Sequence, residues 1–351
     1  MSDKHINRLF EALTPHTEQK EKMFQSILIK SRNENKRRRE LAPVKRWRPA
    51  ILCAILIGCL TSTALAAAYM GLDEAFLKFL KPVNQEQAQY LSNGAYVINK
   101  QVENENGTLT IKQAIGDSNT TYILMDFTAP KGTVLNAEGY RFEFPHLTYD
   151  GAGRDKFWSS YEFQVLDDGN PNDNKISLVL SIGTDNSIAG KGKIFDFSVE
   201  NLQAVNPLTK NFETVIPGSW GTALKLDFKD TSRLYQMDQD ITLYGYKAVF
   251  KTISISPISI TLKIDSNYLE EINNFTLGLR QEDGEGAYLD HFPITINYKD
   301  GTSETTNLLT GSTIKDLMTG QMTTTKSFKN LINDKEIASV VFFGKEFPIK
   351  D

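Results

Sequence analysis

Cysteine is almost missing from this sequence. Cys53 and Cys59 are the two among 351 residues, and none follows position 59. No disulfide can form in the long remainder, which is large enough to stand on a hydrophobic core alone. That excludes a disulfide-stapled secreted scaffold and fits a bacterial surface protein better than an animal one. Histidine is scarce as well. Of four in the chain, His146 and His291 are the two beyond the apolar run described below. No His-x-x-His or cysteine-rich spacing is present, so a structural zinc site is not expected. His146 follows Pro145 at a strand end and reads as a surface or half-buried histidine. A Gly-x-Ser-x-Gly elbow, a P-loop and a dinucleotide fingerprint are absent too. No catalytic residue, cofactor or metal ligand is therefore assigned, and the chain is read as a non-enzyme.

Long apolar runs are lacking, with one exception. Ala50–Met70 (AILCAILIGCLTSTALAAAYM) carries no charge. A helix of that length spans roughly 30 Å, the thickness of a bilayer's hydrocarbon layer. Lys36, Arg37, Arg38, Arg39, Lys45, Arg46 and Arg48 precede it, and Asp73 and Glu74 follow. Met1–Arg48 holds 13 basic and 6 acidic residues, a surplus of +7, while the rest of the chain totals −11. The positive-inside rule then puts the N-terminus in the cytoplasm and the larger part outside. A buried soluble helix and a cleaved signal peptide, cut within Ala64–Ala68, are the competing readings. An uncleaved anchor is taken, because residues 1–48 are far longer than a usual signal n-region.

The expected cytoplasmic head, residues 1–48, has two apolar stripes at helical spacing. Ile6, Leu9, Phe10 and Leu13 form one; Met23, Phe24, Ile27 and Leu28 form the other, after a Thr14-Pro15 start signal. Two such short helices cannot bury a core of their own. Either they dock a cytoplasmic protein by helix-in-groove contacts, or they fray and the basic cluster only fixes topology. Lys36–Arg39 could also touch anionic membrane lipid. Direct nucleic-acid contact is not expected, since no recognition motif accompanies the charge.

After the span, residues 71–92 read as a juxtamembrane helical segment, with Leu72, Phe76, Leu77, Phe79 and Leu80 on one side. From Ala95 onward alternation and turn signals replace helical period, as in Tyr122–Phe127, Arg141–Phe144, Ser160–Val165 and Ile194–Val199. Ile314–Met318 and Phe328–Asn333 read as single turns. Asp167–Asn174 (DDGNPNDN) alternates like a calcium loop, but Asp173 stands where the sharp-turn glycine belongs and Val179 at the twelfth position cannot ligate; an acidic hairpin loop is the reading taken. Asn106–Phe127 laid on Tyr244–Asp265 without gaps matches Gly107 with Gly245, Ile115 with Ile253, Ser118 with Ser256 and Leu124 with Leu262. This weak repeat suggests two related sandwiches, residues 93–232 and 233–351. The fold class expected is mostly β: two tandem immunoglobulin-like β-sandwiches outside, one transmembrane helix at 49–70 and a short helical cytoplasmic head.

Several stretches resemble a known family: the anchor with Met70-Gly71-Leu72, Asn106–Ile111, Pro217–Trp220 through Lys229–Ser232 to Ser254–Ser259, and the ending Val340–Ile349. The order of parts is similar to single-pass membrane proteins of Gram-positive bacteria with an uncharacterised ectodomain, which look like membrane-bound anti-sigma factors. The resemblance implies a head that binds an extracytoplasmic-function sigma factor and an ectodomain that senses an envelope ligand. Typical anti-sigma heads are longer, and the zinc-binding pattern of one class is absent here. Two functions follow: a signal-transducing regulator of that kind, or a surface-anchored binding or adhesion module with no signalling role.

Overall fold

The computed structural model describes residues 71–350 except 150–157, 167–169, 171, 185–191, 193, 276–292, 308–311 and 329. The chain divides into two compact units, Met1–Leu60 and Thr61–Asp351, and every described residue lies in the second.

The membrane-anchored architecture expected above is corrected. Among the described residues no helix is long and apolar enough to cross a membrane. The two named helices have 7 and 10 residues, where about 20 are needed. Both put one face on the β-sheets. The expected span, Ala50–Met70, lies outside the described residues, as do the head residues Ile6, Leu9, Phe10, Leu13, Met23, Phe24, Ile27 and Leu28 and the basic residues Arg37, Arg38, Arg39, Lys45, Arg46 and Arg48. The inside–outside placement rested on that span and falls with it. What stands is a mostly-β region of antiparallel sheets.

Helix α1 (Glu74–Leu80) starts where the Asp73 carboxylate accepts from the Ala75 N–H and ends at Lys81 in a left-handed conformation. Helix α2 (Gln85–Gly94) is capped by Asn84. Phe76, Leu80, Ala88 and Leu91 are buried. They cover the outer face of the first sheet, against Ile115, Tyr122, Leu124 and Val179.

The first sandwich holds β1 (Tyr96–Asn104), β2 (Gly107–Gly116), β3 (Thr120–Thr128), β4 (Tyr140–Tyr149), β5 (Trp158–Leu166), β6 (Lys175–Thr184), β7 (Ile194–Val205) and β8 (Phe212–Lys225). One sheet runs β1-β2-β3-β6-β5, the other β4-β7-β8. The second sandwich holds β9 (Arg233–Leu243), β10 (Tyr246–Ile255), β11 (Ser259–Asp265), β12 (Pro293–Tyr298), β13 (Ser303–Asn307), β14 (Ser312–Asp316), β15 (Gln321–Ser327), β16 (Ile337–Phe342) and β17 (Lys345–Pro348). Its sheets run β9-β10-β11-β15-β14 and β13-β12-β16-β17. Leaving out β1 and β9, both have the four-against-three strand order of a constant-type immunoglobulin sandwich; β13 is an addition beside the third strand. Each pair of sheets encloses its own core. At the centre of the first, Trp220 is fully buried, edge-on to Phe127 and Phe142, with its indole N–H donating to Gly107 O at 3.1 Å.

The repeat is real, but its register is not the one the identities suggest. Tyr96 pairs with Ala114 and Tyr235 with Ile253; Met125 pairs with Ile111 and Ile264 with Phe250. The hairpin turns close through Asp117 N to Thr120 O and Ser256 N to Ser259 O. These matches share one offset, which is one residue longer than the gapless alignment. Asp126 then falls on Asp265 and Tyr96 on Tyr235, while Ile115 no longer matches Ile253. A one-residue slip exchanges the faces of a strand. Accordingly Ile115 points to the helices, whereas Ala114 and Ile253 both point into a sandwich core.

Two elements depart from their sequence reading. Ser312–Asp316, overlapping the expected turn at Ile314–Met318, is a short strand against β15. Residues 269–275 are helical, burying Leu269 and Ile272 in the second core.

Candidate binding site

β4 carries a bulge. Glu143 faces Glu200 and His146 faces Ser198, so Phe144 and Pro145 together oppose Val199. A proline cannot donate to a ladder, and the chain absorbs it by kinking out of register. The kink leaves Phe144 at φ +48° with 67% of its surface exposed. A bulky residue in the left-handed region is strained by roughly 1–2 kcal/mol.

Beside the bulge, between β4 and the edge strand β5 of the facing sheet, lies a shallow open recess. Pro145, Leu147, Leu180, Ile182 and Phe197 line it, with His146 and Tyr161 at its rim. Tyr161 is 41% exposed and stands edge-on to Phe163. The His146 ring is exposed, within hydrogen-bonding distance of Thr148 Oγ1 at 3.3 Å. Among the described residues no charged side chain lines the recess. Leu147, Leu180, Ile182 and Phe197 belong to the buried first core, so the recess is a shallow apolar notch at the edge of the sandwich.

The second concentration of chemistry is the junction of the sandwiches. Asp117 is fully buried. Its Oδ1 accepts from Asn119 N at 2.9 Å and Thr120 N at 2.8 Å. Its Oδ2 accepts from Ser259 Oγ at 2.6 Å and from Ser256 Oγ, both across the junction. All four donors are neutral. Burial outweighs them and holds the carboxyl above the usual carboxylate range. Ser118 Oγ ties the same turn to Asp230 and Ser232 in the connection between sandwiches. Around these groups pack Phe76, Leu80 and Leu91 from the helices, with Ile258 and Leu331 from the second sandwich. Gln87 Nε2 donates to Leu331 O at 2.8 Å. These contacts form a structural joint, with a small recess beside it lined by Phe79, Leu80, Tyr122, Ile258, Phe328, Asn330 and Leu331.

Among the described residues no group of three His, Cys, Asp or Glu could hold a metal ion. In the Asp167–Asn174 segment, the described members make structural bonds: Asn170 Nδ2 donates to Asp173 Oδ2, Asp173 Oδ1 accepts from Lys175 N, and Asn174 Nδ2 donates to Ala129 O. His291 lies outside the described residues. The sequence reading missed the recess and Asp117. Phe144-Pro145 inside an alternating strand is the one local signal for the bulge; nothing near Asp117 marks it as buried.

No protein-family model matches the chain, and no curated protein matches it. The likeness to an anti-sigma family is corrected accordingly: no matching family supports it, and no sigma-factor-binding head is present among the described residues. A solved structure, the crystal structure of the conserved domain protein from Bacillus anthracis, is similar over 70% of this chain and 75% of its own. The identity is 17% and the TM-score 0.44, too weak a likeness to carry fold or function across.

Proposed function

We propose that the described region is a binding module with no chemistry of its own, and that its binding face is the β4–β5 side of the first sandwich. The observation that carries this reading is Phe144, a large aromatic side chain held in a strained backbone beside an open apolar recess. Strain and exposed apolar surface both cost stability, and proteins retain them together where a ligand is met. Nothing favours catalysis: no metal cluster is found among the described residues, and buried carboxylates such as Asp117 and Asp126 are engaged in structural bonds.

The test is a screen of peptide and glycan arrays with the full chain, repeated with Phe144→Ser/Tyr161→Ser. Ligands that bind the parent and lose at least about tenfold in affinity for the double variant support the reading. Ligands indifferent to both substitutions would move the binding face elsewhere. Turnover of any substrate in a hydrolase panel would overturn the non-catalytic reading.

A further inference from the structure

One acid sits where the two sandwiches meet, and the groups bonded to it are neutral. Asp117, in the turn between β2 and β3, is fully buried. The N–H groups of Asn119 and Thr120, in its own turn, donate to its Oδ1. Its Oδ2 reaches across to Ser256 Oγ and Ser259 Oγ, in the turn between β10 and β11. Tyr90 of α2 and Tyr122 of β3 face it. Burial first, and the Asp117 charge after it, push both phenols up, Tyr122 to about 12, so both stay neutral. Asp230, in the connection between the sandwiches, is joined to the same turn through Ser118 Oγ, and Lys229 beside it is exposed. Two cations on the surrounding elements are matched with other acids, Lys335 with Glu86 and Arg233, at 3.5 Å, with Asp334.

The rest of the joint is able to part. The two sandwiches have separate cores. The cluster beside Asp117 draws its buried apolar residues from the helices and the first sheet, with Ile258 and Leu331 from the second sandwich. An interface that polar leaves two bodies able to move unless something locks them. We propose that the joint is a proton-operated hinge, in which a protonated Asp117 locks the two turns together and an ionised one lets the sandwiches part at residues 229–232. The serines suit both states, since a hydroxyl donates to a carboxylate and accepts from a carboxylic acid. The two backbone donors lie in the Asp117 turn and travel with it. Inside the closed joint the carboxylate has no opposite charge to offset its lost water; opening restores the water. Burial accordingly holds the carboxyl above its ordinary 3.8 while the joint is closed, and opening releases it. The lock is complete below 3.8 and is lost as pH climbs from there through the closed-state value. Each unit between the two values multiplies the opening constant about tenfold. Helices α1 and α2 stay with the first sandwich, where they cover Ile115, Tyr122, Leu124 and Val179.

The experiment is amide hydrogen exchange on the full chain from about pH 4 to about pH 8, with each rate corrected for the chemical rate at that pH. Small-angle scattering follows the separation of the sandwiches over the same range. The amides to watch are those of Asn119 and Thr120 in one turn and of Ile258 and Ser259, which donate to Ser256 Oγ, in the other. Their protection is expected to fall at least about tenfold as pH rises, and the maximum dimension to grow. The amides of Leu124–Met125 and Leu262–Ile264, in the ladders of the two cores, should keep theirs. Asp117→Asn should hold the turns protected at every pH. Ser256→Ala/Ser259→Ala keeps the carboxyl without its bonds across the joint and should be open throughout. Loss of protection in turns and cores together would show a change in overall stability with no hinge, and would sink the proposal. A pH dependence that persists in Asp117→Asn would assign the switch to another group. Constant protection and dimension from acid to neutral pH would overturn the hinge outright, and this titration of the parent decides even if Asp117→Asn does not fold.

Discussion

Asp117 and Ser256 occupy the same position in two copies of one hairpin, and they are hydrogen-bonded to each other. The contact ties the sandwiches at the tips of their equivalent turns, with Ser259 giving the same carboxylate a second hydroxyl. Removing the acceptor leaves two hydroxyls and the N–H groups of Asn119 and Thr120 buried without it. Asp117→Ala is expected to cost about 2–4 kcal/mol in urea denaturation. Asp117→Asn should cost less than about 1 kcal/mol near neutral pH, because serine hydroxyls can turn to accept from the new amide. Equal losses in the two variants would contradict this account of the joint.

The same group sets a pH dependence. Burial raises the Asp117 carboxyl in the folded protein above its value of 3.8. A raised acid favours folding while protonated, so its contribution is present below 3.8 and is lost as pH climbs through the folded value. Asp126 has the opposite sign. Burial opposes its ionisation, but Lys175, Ser177 and Lys112 outweigh it and lower the carboxyl below 3.8. That contribution is present above 3.8 and is lost as pH falls through the lowered value. Melting temperature followed across acid to neutral pH should show both limbs. Asp117→Asn should flatten the upper limb and leave the acid limb; Asp126→Asn should do the reverse.

Trp220→Ala should remove about 3–5 kcal/mol, the usual cost of emptying a large aromatic site. Its partner Gly107 tests the packing from the other side. At φ +139° a Cβ there would lie 2.7 Å from both Phe127 Cζ and Thr128 O. Gly107→Ala should cost more than about 2 kcal/mol. Gly245→Ala, at φ +86° with open space around it, should cost about 1 kcal/mol from backbone strain alone. Chemical denaturation orders the three variants, and a reversed order of the two glycines would refute the close-approach argument.

Phe144 should separate stability from binding. Phe144→Gly relieves the left-handed strain and sacrifices little packing, so the fold should gain about 1 kcal/mol. The same variant should bind array ligands more weakly than the parent. A variant both less stable and unchanged in binding would make Phe144 an ordinary structural residue.

The β-rich character was readable because alternation survives in strands such as Tyr122–Phe127 and Arg141–Phe144. Helix α1 was readable from the spacing of Phe76, Phe79 and Leu80. The repeat was readable in outline, but chance identities outnumbered true ones at the wrong offset. Only pairing partners reveal the register, and there Tyr96 meets Tyr235. Trp220 lies inside β8, whose fourteen residues include Pro217 and Gly218, two residues that sequence patterns keep out of strand interiors. β14 escaped notice because its five residues, Ser312–Asp316, hold one apolar residue, Ile314, too few to display alternation. The recess joins residues from β4, β5, β6 and β7, and no linear pattern announces such a meeting. The membrane-spanning expectation rested on the length and hydropathy of Ala50–Met70 and on the charges flanking it, and no described helix supplies a span.

Contact between equivalent positions has an evolutionary consequence. In a symmetric pair of identical chains, such positions must bring like to like. Two aspartates there would repel, and two serines would leave no carboxylate for the flanking amides. Once both copies lie on one polypeptide, each turn can mutate alone, and an acid can be set against a hydroxyl. The Asp117–Ser256 bond is therefore available to a fused tandem and closed to a symmetric dimer of either half, so the joint favours keeping the two sandwiches on a single gene.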